Sequence, residues 1–219
     1  DSAYLSPPVQ RAARLLRHIA AGDTVTNMAA AAREIGINRT TLLRLLHTLE
    51  AEGFIESRGE RGGWRIGLGL FGMVAQAFAG EDLAEAATPV LGRLAEETGL
   101  SAHLGVLDGR EVVYLIRRTP NQSFVSNIKV GSRLPAHAAN MGRIILAQWP
   151  KERVERLFAG APLARVTAHT PTTPMALRAV LDADAKEGLA WSEGHFEAGI
   201  SSVAAAVFDA SGAAVAAIN

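Results

Sequence analysis

The stretch from Asn27 to Gly53 constrains this chain more tightly than any other part of it. Met28, Ala32 and Ile35 recur at helical spacing and stop at Gly36, a residue type that takes a left-handed turn without strain. Ile37 follows as an apolar plug, and Asn38, a good N-cap, opens a second helical pattern. In that pattern Leu42, Leu45, Leu46 and Leu49 form an apolar stripe that ends at Gly53. Upstream, Pro7-Pro8 marks a helix start, Val9, Ala13, Leu16 and Ile19 recur at helical spacing, and Gly22 is a stop. Downstream, Phe54-Ile55 and Trp64-Arg65-Ile66 read as two short strands around a charged, Gly-rich tip at 58–63.

Three helices and a two-stranded wing describe a winged helix-turn-helix over residues 1–66. With the leucines of the third helix inward, Thr40, Arg44 and His47 project from the opposite side and Thr41 and Thr48 flank them. Small hydroxyls at a helix start approach phosphates or thymine methyls, and arginine reaches a guanine edge. The candidate DNA contacts are Asn38, Arg39, Thr40, Thr41, Arg44 and His47 on that helix, with Arg58, Arg61 and Arg65 in the wing. The plainer reading is a solvated helix face, with Arg65 lying over Trp64. The formal net charge of the 219 residues is zero, which argues for modest non-specific affinity. Residues 1–66 nevertheless hold 9 Arg against 7 acids and no Lys, the side chain suited to bidentate phosphate and guanine contacts.

The remainder changes period. A helical connector at 67–82 and a helix carrying Leu91, Leu94 and Ala95 lead to Gly99. Apolar runs at 103–107 and 112–116 then flank Asp108-Gly109, a strong hairpin signal. Helical stretches at about 138–159 and 173–187 precede strands near 188–194, 201–208 and 213–219. Strands outside and helices between predict an α+β domain over 83–219, on a mainly antiparallel sheet. The absence of cysteine excludes disulfides, Cys-based zinc sites and thiol catalysis. No stretch reads as a signal peptide or a membrane span, so a cytoplasmic location without membrane partners is the expectation.

Several runs in this order resemble the IclR family of bacterial transcription regulators, over essentially the whole length. They are Val9-Gln-Arg-Ala12, the segment from Ile37 through Leu42-Leu-Arg-Leu-Leu-His47 to Gly53-Phe-Ile55, and Leu91-Gly-Arg-Leu-Ala-Glu-Glu-Thr-Gly99. Gly131-Ser-Arg-Leu-Pro-Ala-His-Ala138, Met141-Gly-Arg-Ile-Ile-Leu-Ala147, Gly199-Ile-Ser-Ser-Val-Ala-Ala205 and Val207-Phe-Asp-Ala-Ser-Gly212 complete the set. The resemblance implies a GAF/PAS-like effector-binding and oligomerisation domain at 83–219. It also implies a homodimer or a tetramer on an inverted-repeat double-stranded DNA operator, a small organic acid as effector, and no cofactor, metal or enzymatic activity.

Carried across residue by residue, the family's effector pocket falls on Asn140, Met141, Ser192, Ser202 and Asn219. The small Gly-Ala pair of glyoxylate- and pyruvate-type sensors is here Asn140-Met141. A family acidic position is Ser192, a Cys is Ser202 and a late Ser is Asn219. This bulkier, amphipathic lining implies a different ligand, and the run from Ser132 to Arg143 is closer to the aromatic-acid-sensing branch. Family members usually continue past the last strand into another helix, whereas this sequence ends at Asn219.

Physically, a carboxylate needs donors in a partly apolar cavity, and His137, His195 or Arg133 are further candidates. Two other classes stay open: a short oxo-acid sensor, and a metal-dependent enzyme joined to a winged-helix interaction module. For the enzyme, Glu96-Glu97 diverge on a helix. Glu193, His195 and Glu197 share a strand face that His103, His137 and His169 can approach. None of these has a usual metal-ligand spacing.

Overall fold

The computed structural model describes residues 4–59, 62–78, 82–120, 128–194 and 199–219; Arg61, His195, Glu197 and the end of the connector at Gly80 lie outside the described residues. The chain divides into two compact units, Asp1–Glu81 and Asp82–Asn219.

The first unit contains α1 (Pro7–Ala20), α2 (Met28–Ile35), α3 (Arg39–Ala51), β1 (Ile55–Ser57), β2 (Trp64–Ile66) and α4 (Leu68–Phe78). Its local signals act as the sequence predicts. Asn27 caps α2 by accepting from the Ala29 and Ala30 amides, and Gly36 ends it at φ 73°. Asn38 caps α3 through the Thr41 amide at 2.7 Å. The core gathers Leu15 and Ile19 of α1, Ala31, Ala32 and Ile35 of α2, and Leu42, Leu46 and Leu49 of α3. Val9 is a correction: it is 66% exposed, because it lies one turn beyond the end of the core, while Leu15 is fully buried. The real stripe on α1 is Ala12, Leu15, Leu16 and Ile19. In the wing, Ile55 pairs with Ile66 and Glu56 with Arg65. The Leu68 amide donates to Glu56 at 3.1 Å, tying the start of α4 to the wing.

The second unit opens with α5 (Asp82–Thr98), which begins earlier than the periodicity suggests and runs through Pro89. The hairpin of β3 (Ala102–Asp108) and β4 (Glu111–Arg118) turns at Asp108-Gly109 as expected. There follow β5 (Arg133–Pro135), α6 (Asn140–Ala147), α7 (Lys151–Phe158), α8 (Pro174–Glu187), β6 (Ala190–Glu193), β7 (Ser201–Phe208) and β8 (Ala214–Ile218). The helical stretch expected at 138–159 is two helices. The break falls at Pro150, whose ring disfavours helical backbone in the preceding residue. The strands form a six-stranded sheet in the order β5-β4-β3-β8-β7-β6. Every described pairing in it is antiparallel.

Alternation along the strands divides this sheet into two apolar faces. One packs on α5 through Leu91, Ala95, Leu104, Ile116 and Ala216. The other packs on α6, where Ala190, Ala204, Ala206 and Ala217 form a floor of small side chains under Met141, Ile144 and Ile145. Gly105 belongs to that floor: a Cβ there would meet the Met141 Cε at 3.0 Å. All residues from Asn140 to Leu146 are consequently buried. Arg143 of α6 is 1% exposed. It pairs with Asp184 of α8 at 3.1 Å and donates to the Trp191 carbonyl of β6. Burial works against both charges, depressing the guanidinium and pushing the Asp184 carboxyl up to about 6, with the ion pair as the partial offset.

Candidate nucleic-acid interface and ligand site

On α3 the inward leucines leave Arg39, Thr40, Arg44 and His47 exposed, and Thr41 half-buried. The Thr48 hydroxyl donates back to the Arg44 carbonyl at 2.8 Å, so the side chain folds onto its own helix. The Asn38 carboxamide oxygen is engaged by the cap, which leaves the amide nitrogen of this exposed residue as a donor outside it. In the wing Arg58 is exposed. Arg65 is held by its cross-strand neighbour Glu56 through bonds of 2.7 and 3.0 Å. The Leu68 amide first and Arg65 second keep the Glu56 carboxyl below its usual range, so this clasp is charged at neutral pH. Arg65 therefore lies along the wing rather than free at its tip.

In the second unit the sequence-predicted residues converge. Asn140 opens α6, and its Nδ2 donates to the Ser202 hydroxyl at 3.0 Å. The Asn140 Oδ1 accepts from the Met141 amide at 2.9 Å and from the Asn219 Nδ2 at 3.3 Å. Ser192 of β6 is the cross-strand partner of Ser202 on β7. The N-cap residue Ala139 supplies no side-chain cap, so the first turn of α6 starts uncapped inside an apolar enclosure. The Met141 amide is taken by the Asn140 Oδ1, and the dipole of such a helix start favours an anion.

The sequence pattern offers His103 only as a neighbour of the Glu193 cluster, not as part of this site. It belongs to the polar row: its Nδ1 lies 2.8 Å from the Asn219 Oδ1. The two residues also exchange backbone hydrogen bonds of 2.9 and 3.1 Å. Desolvation, with a smaller contribution from the nearby Arg117 charge, lowers the His103 pKa against the opposing Asn219 bond. Tyr114, whose hydroxyl burial pushes upward, stands edge-on to that ring at 5.5 Å between centroids. The hairpin that carries His103 is legible in the sequence, but the approach of Asn219 is not.

The other candidates lie elsewhere. His137 faces the Ala164 carbonyl at 3.0 Å and the edge of Phe158, tying down the segment after α7. Arg133 closes on Asp108 and Glu111 at 2.6 and 2.7 Å, a surface clasp of the hairpin. Among the described residues, the one cluster with metal-ligand proximity is His18, Asp23 and Glu34 of the first unit. There the two carboxylates approach opposite nitrogens of one imidazole, at 3.0 and 3.8 Å, so they flank the ring instead of converging with one lone pair. No described helix is long and apolar enough to cross a membrane.

Comparison with known proteins matches two family models to the chain. The IclR helix-turn-helix domain model matches residues 8–59, and the model of the bacterial transcriptional regulator IclR C-terminal domain matches 75–219. The HTH-type transcriptional regulator XynR of Escherichia coli is 28% identical over 96% of this chain and 84% of its own length. The HTH-type transcriptional regulator BhcR of Paracoccus denitrificans is 30% identical over 92% of this chain and 71% of its own. Among solved structures, an IclR homologue from Microbacterium hydrocarbonoxydans complexed with 4-hydroxybenzoate superposes with a TM-score of 0.85. It is 26% identical and matches 96% of this chain and 87% of its own. With domain models matching residues 8–59 and 75–219, the chain belongs to the IclR family of bacterial transcriptional regulators.

Proposed function

We propose that this regulator binds an inverted-repeat operator as a homodimer or a pair of dimers, and that an aromatic carboxylate at the start of α6 sets its operator affinity. The chain is a DNA-binding regulator with an effector domain, not an enzyme. In this reading residues 1–66 read the operator in the cytoplasm, 67–82 link, and 83–219 bind the effector and assemble. Arg39, Thr40, Thr41, Arg44 and His47, with the Asn38 amide, face the major groove. Arg58 flanks it on phosphates, the sequence assigns Arg61 the same role, and Arg65 stiffens the wing through Glu56. Leu68, Phe71, Met73 and Val74 leave α4 with an exposed apolar surface, which suits a dimer contact.

The observation that carries the effector assignment is the buried, uncapped start of α6 meeting Ser202 and Asn219. A carboxylate there would meet the positive end of the helix dipole and the serine hydroxyls of Ser202 and Ser192. An aromatic ring would lie on Met141, whose thioether favours such contacts. The 4-hydroxybenzoate complex of the Microbacterium protein supports an aromatic acid over a short oxo-acid. A ligand shifts operator affinity only if it binds the DNA-competent and incompetent states unequally.

The test is fluorescence anisotropy on DNA upstream of the regulator's own gene, with and without benzoates and short oxo-acids. An aromatic acid should change operator affinity. Arg44→Ala, which removes a side chain with no partner among the described residues, should weaken the operator complex by about 1–3 kcal/mol and leave unfolding unchanged. Unaltered operator affinity in that variant refutes the α3 assignment, and a response to oxo-acids alone refutes the aromatic one.

A further inference from the structure

The polar row beneath α6 has a direction, and one backbone amide sets it. The Met141 N–H can only donate, and it donates to Asn140 at 2.9 Å, so the atom it meets is the carboxamide oxygen. The same oxygen faces Asn219 at 3.3 Å, which requires the Asn219 nitrogen on that side. Asn219 must then turn its oxygen to His103, and the 2.8 Å contact makes His103 Nδ1 the protonated nitrogen. A neutral imidazole has one N–H, so its Nε2 carries a bare lone pair. Burial and the neighbouring Arg117 charge both favour that neutral form.

That Nε2 is buried and has no hydrogen-bond partner among the described residues, on a residue only 6% exposed. A buried acceptor without a donor costs stability, and such an atom calls for a partner. At the opposite end of the row, Ser202 accepts from Asn140 at 3.0 Å and gives its own proton to no described residue. One end of the row therefore lacks a donor and the other offers one. A ligand that carries only acceptors satisfies Ser202 and leaves His103 unmatched.

We propose that the effector is a hydroxy acid whose carboxylate binds the α6 and Ser202 end and whose hydroxyl donates its proton to His103 Nε2, making His103 the residue that selects hydroxylated acids. This rests on the effector site proposed above. A site shaped to hydrogen-bond a ligand hydroxyl discriminates strongly against the analogue that lacks it, because its own polar atom is left unpaired. A methyl ether is the sharper control, since it keeps the oxygen and loses the proton.

The experiment is isothermal titration calorimetry on the full chain. The probes are the three hydroxybenzoate isomers, their methyl ethers and benzoate, with glycolate, methoxyacetate and acetate as the short set. One hydroxy acid should bind at least about tenfold more tightly than both its ether and its unsubstituted parent. In His103→Phe that ratio should collapse to about twofold or less, and in His103→Gln, which restores an acceptor, part of it should return. If His103→Phe does not fold, the wild-type ratio decides together with NMR of the imidazole nitrogens, where the hydroxy acid should shift Nε2 and leave Nδ1 protonated. Equal affinity for a hydroxy acid and its ether overturns the role of His103 and spares the effector site. No binding by any of these acids overturns both.

Discussion

Gly142→Ala would insert one methyl group into the closest backbone approach around α6. An ideal Cβ at this position falls 2.4 Å from the Ala136 Cα, 2.5 Å from its oxygen and 2.8 Å from its carbonyl carbon. Ordinary carbon contacts lie at about 3.5–4.0 Å, so helix and segment must separate by about 1 Å. Neither side yields easily. Ala136 is fully buried and its amide is bonded to the Arg110 carbonyl at 2.9 Å, while α6 is enclosed along its length. Overpacking of this kind costs about 1–3 kcal/mol, and backbone on both sides puts it at the upper end. The better helix propensity of alanine returns about 1 kcal/mol, leaving a net loss of about 2 kcal/mol. Gly92→Ala on α5 is the matched control, since nothing lies within 4 Å of its Cβ position. It should be neutral or stabilise by up to about 1 kcal/mol. Urea unfolding reads both variants: the midpoint of the transition that reports the second unit should fall for Gly142→Ala and hold or rise for Gly92→Ala. The substitution should also cost effector affinity, because a movement of about 1 Å breaks the 3.0 and 3.3 Å bonds of Asn140. Equal stability of the two variants would refute the reasoning.

Two further outcomes follow from buried charge. The folded pKa of His103 lies below the ordinary 6.5, so the unfolded chain takes up the proton first as pH falls. Its contribution to stability is full above that value and is lost below it, at up to about 1.4 kcal/mol per pH unit. The difference between wild type and His103→Gln across pH 5–7.5 in thermal unfolding should show this slope, and parallel curves would refute it. Arg143→Met leaves Asp184 buried without its partner and should cost about 3–5 kcal/mol in chemical denaturation. Replacing Asp184 with leucine in the same chain should recover much of that loss; a single variant as stable as wild type would show the pair to be dispensable.

The parts of the fold that were legible are those whose causes are local. Asn27, Gly36 and Asn38 act on the residues beside them, and Asp108-Gly109 closes a hairpin between its neighbours, so each is readable in a short window. Where a distant partner decides, the sequence is silent. Val9 keeps helical spacing but has no core to reach, and Arg65 is claimed by Glu56 across the wing. β5 is three residues long and has too few positions to display alternation. The site divides in the same way. The family resemblance brought Asn140, Ser202 and Asn219 together by number. His103, which binds Asn219 from 116 residues away, carries no mark of that partnership in its own neighbourhood.

The enclosure of α6 also governs how the second unit responds to force. A helix with one wet side can absorb a push by letting exposed side chains swing or by bowing toward solvent. From Asn140 to Leu146 this one has no such slack, and its backbone rests on that of Ala136. A displacement begun at Asn140 must travel along the rod. The next rigid connection is Arg143, joined at once to α8 through Asp184 and to β6 through the Trp191 carbonyl. The unit is thus built stiff along one line, with the polar row at its input and the outer helix and edge strand at its output.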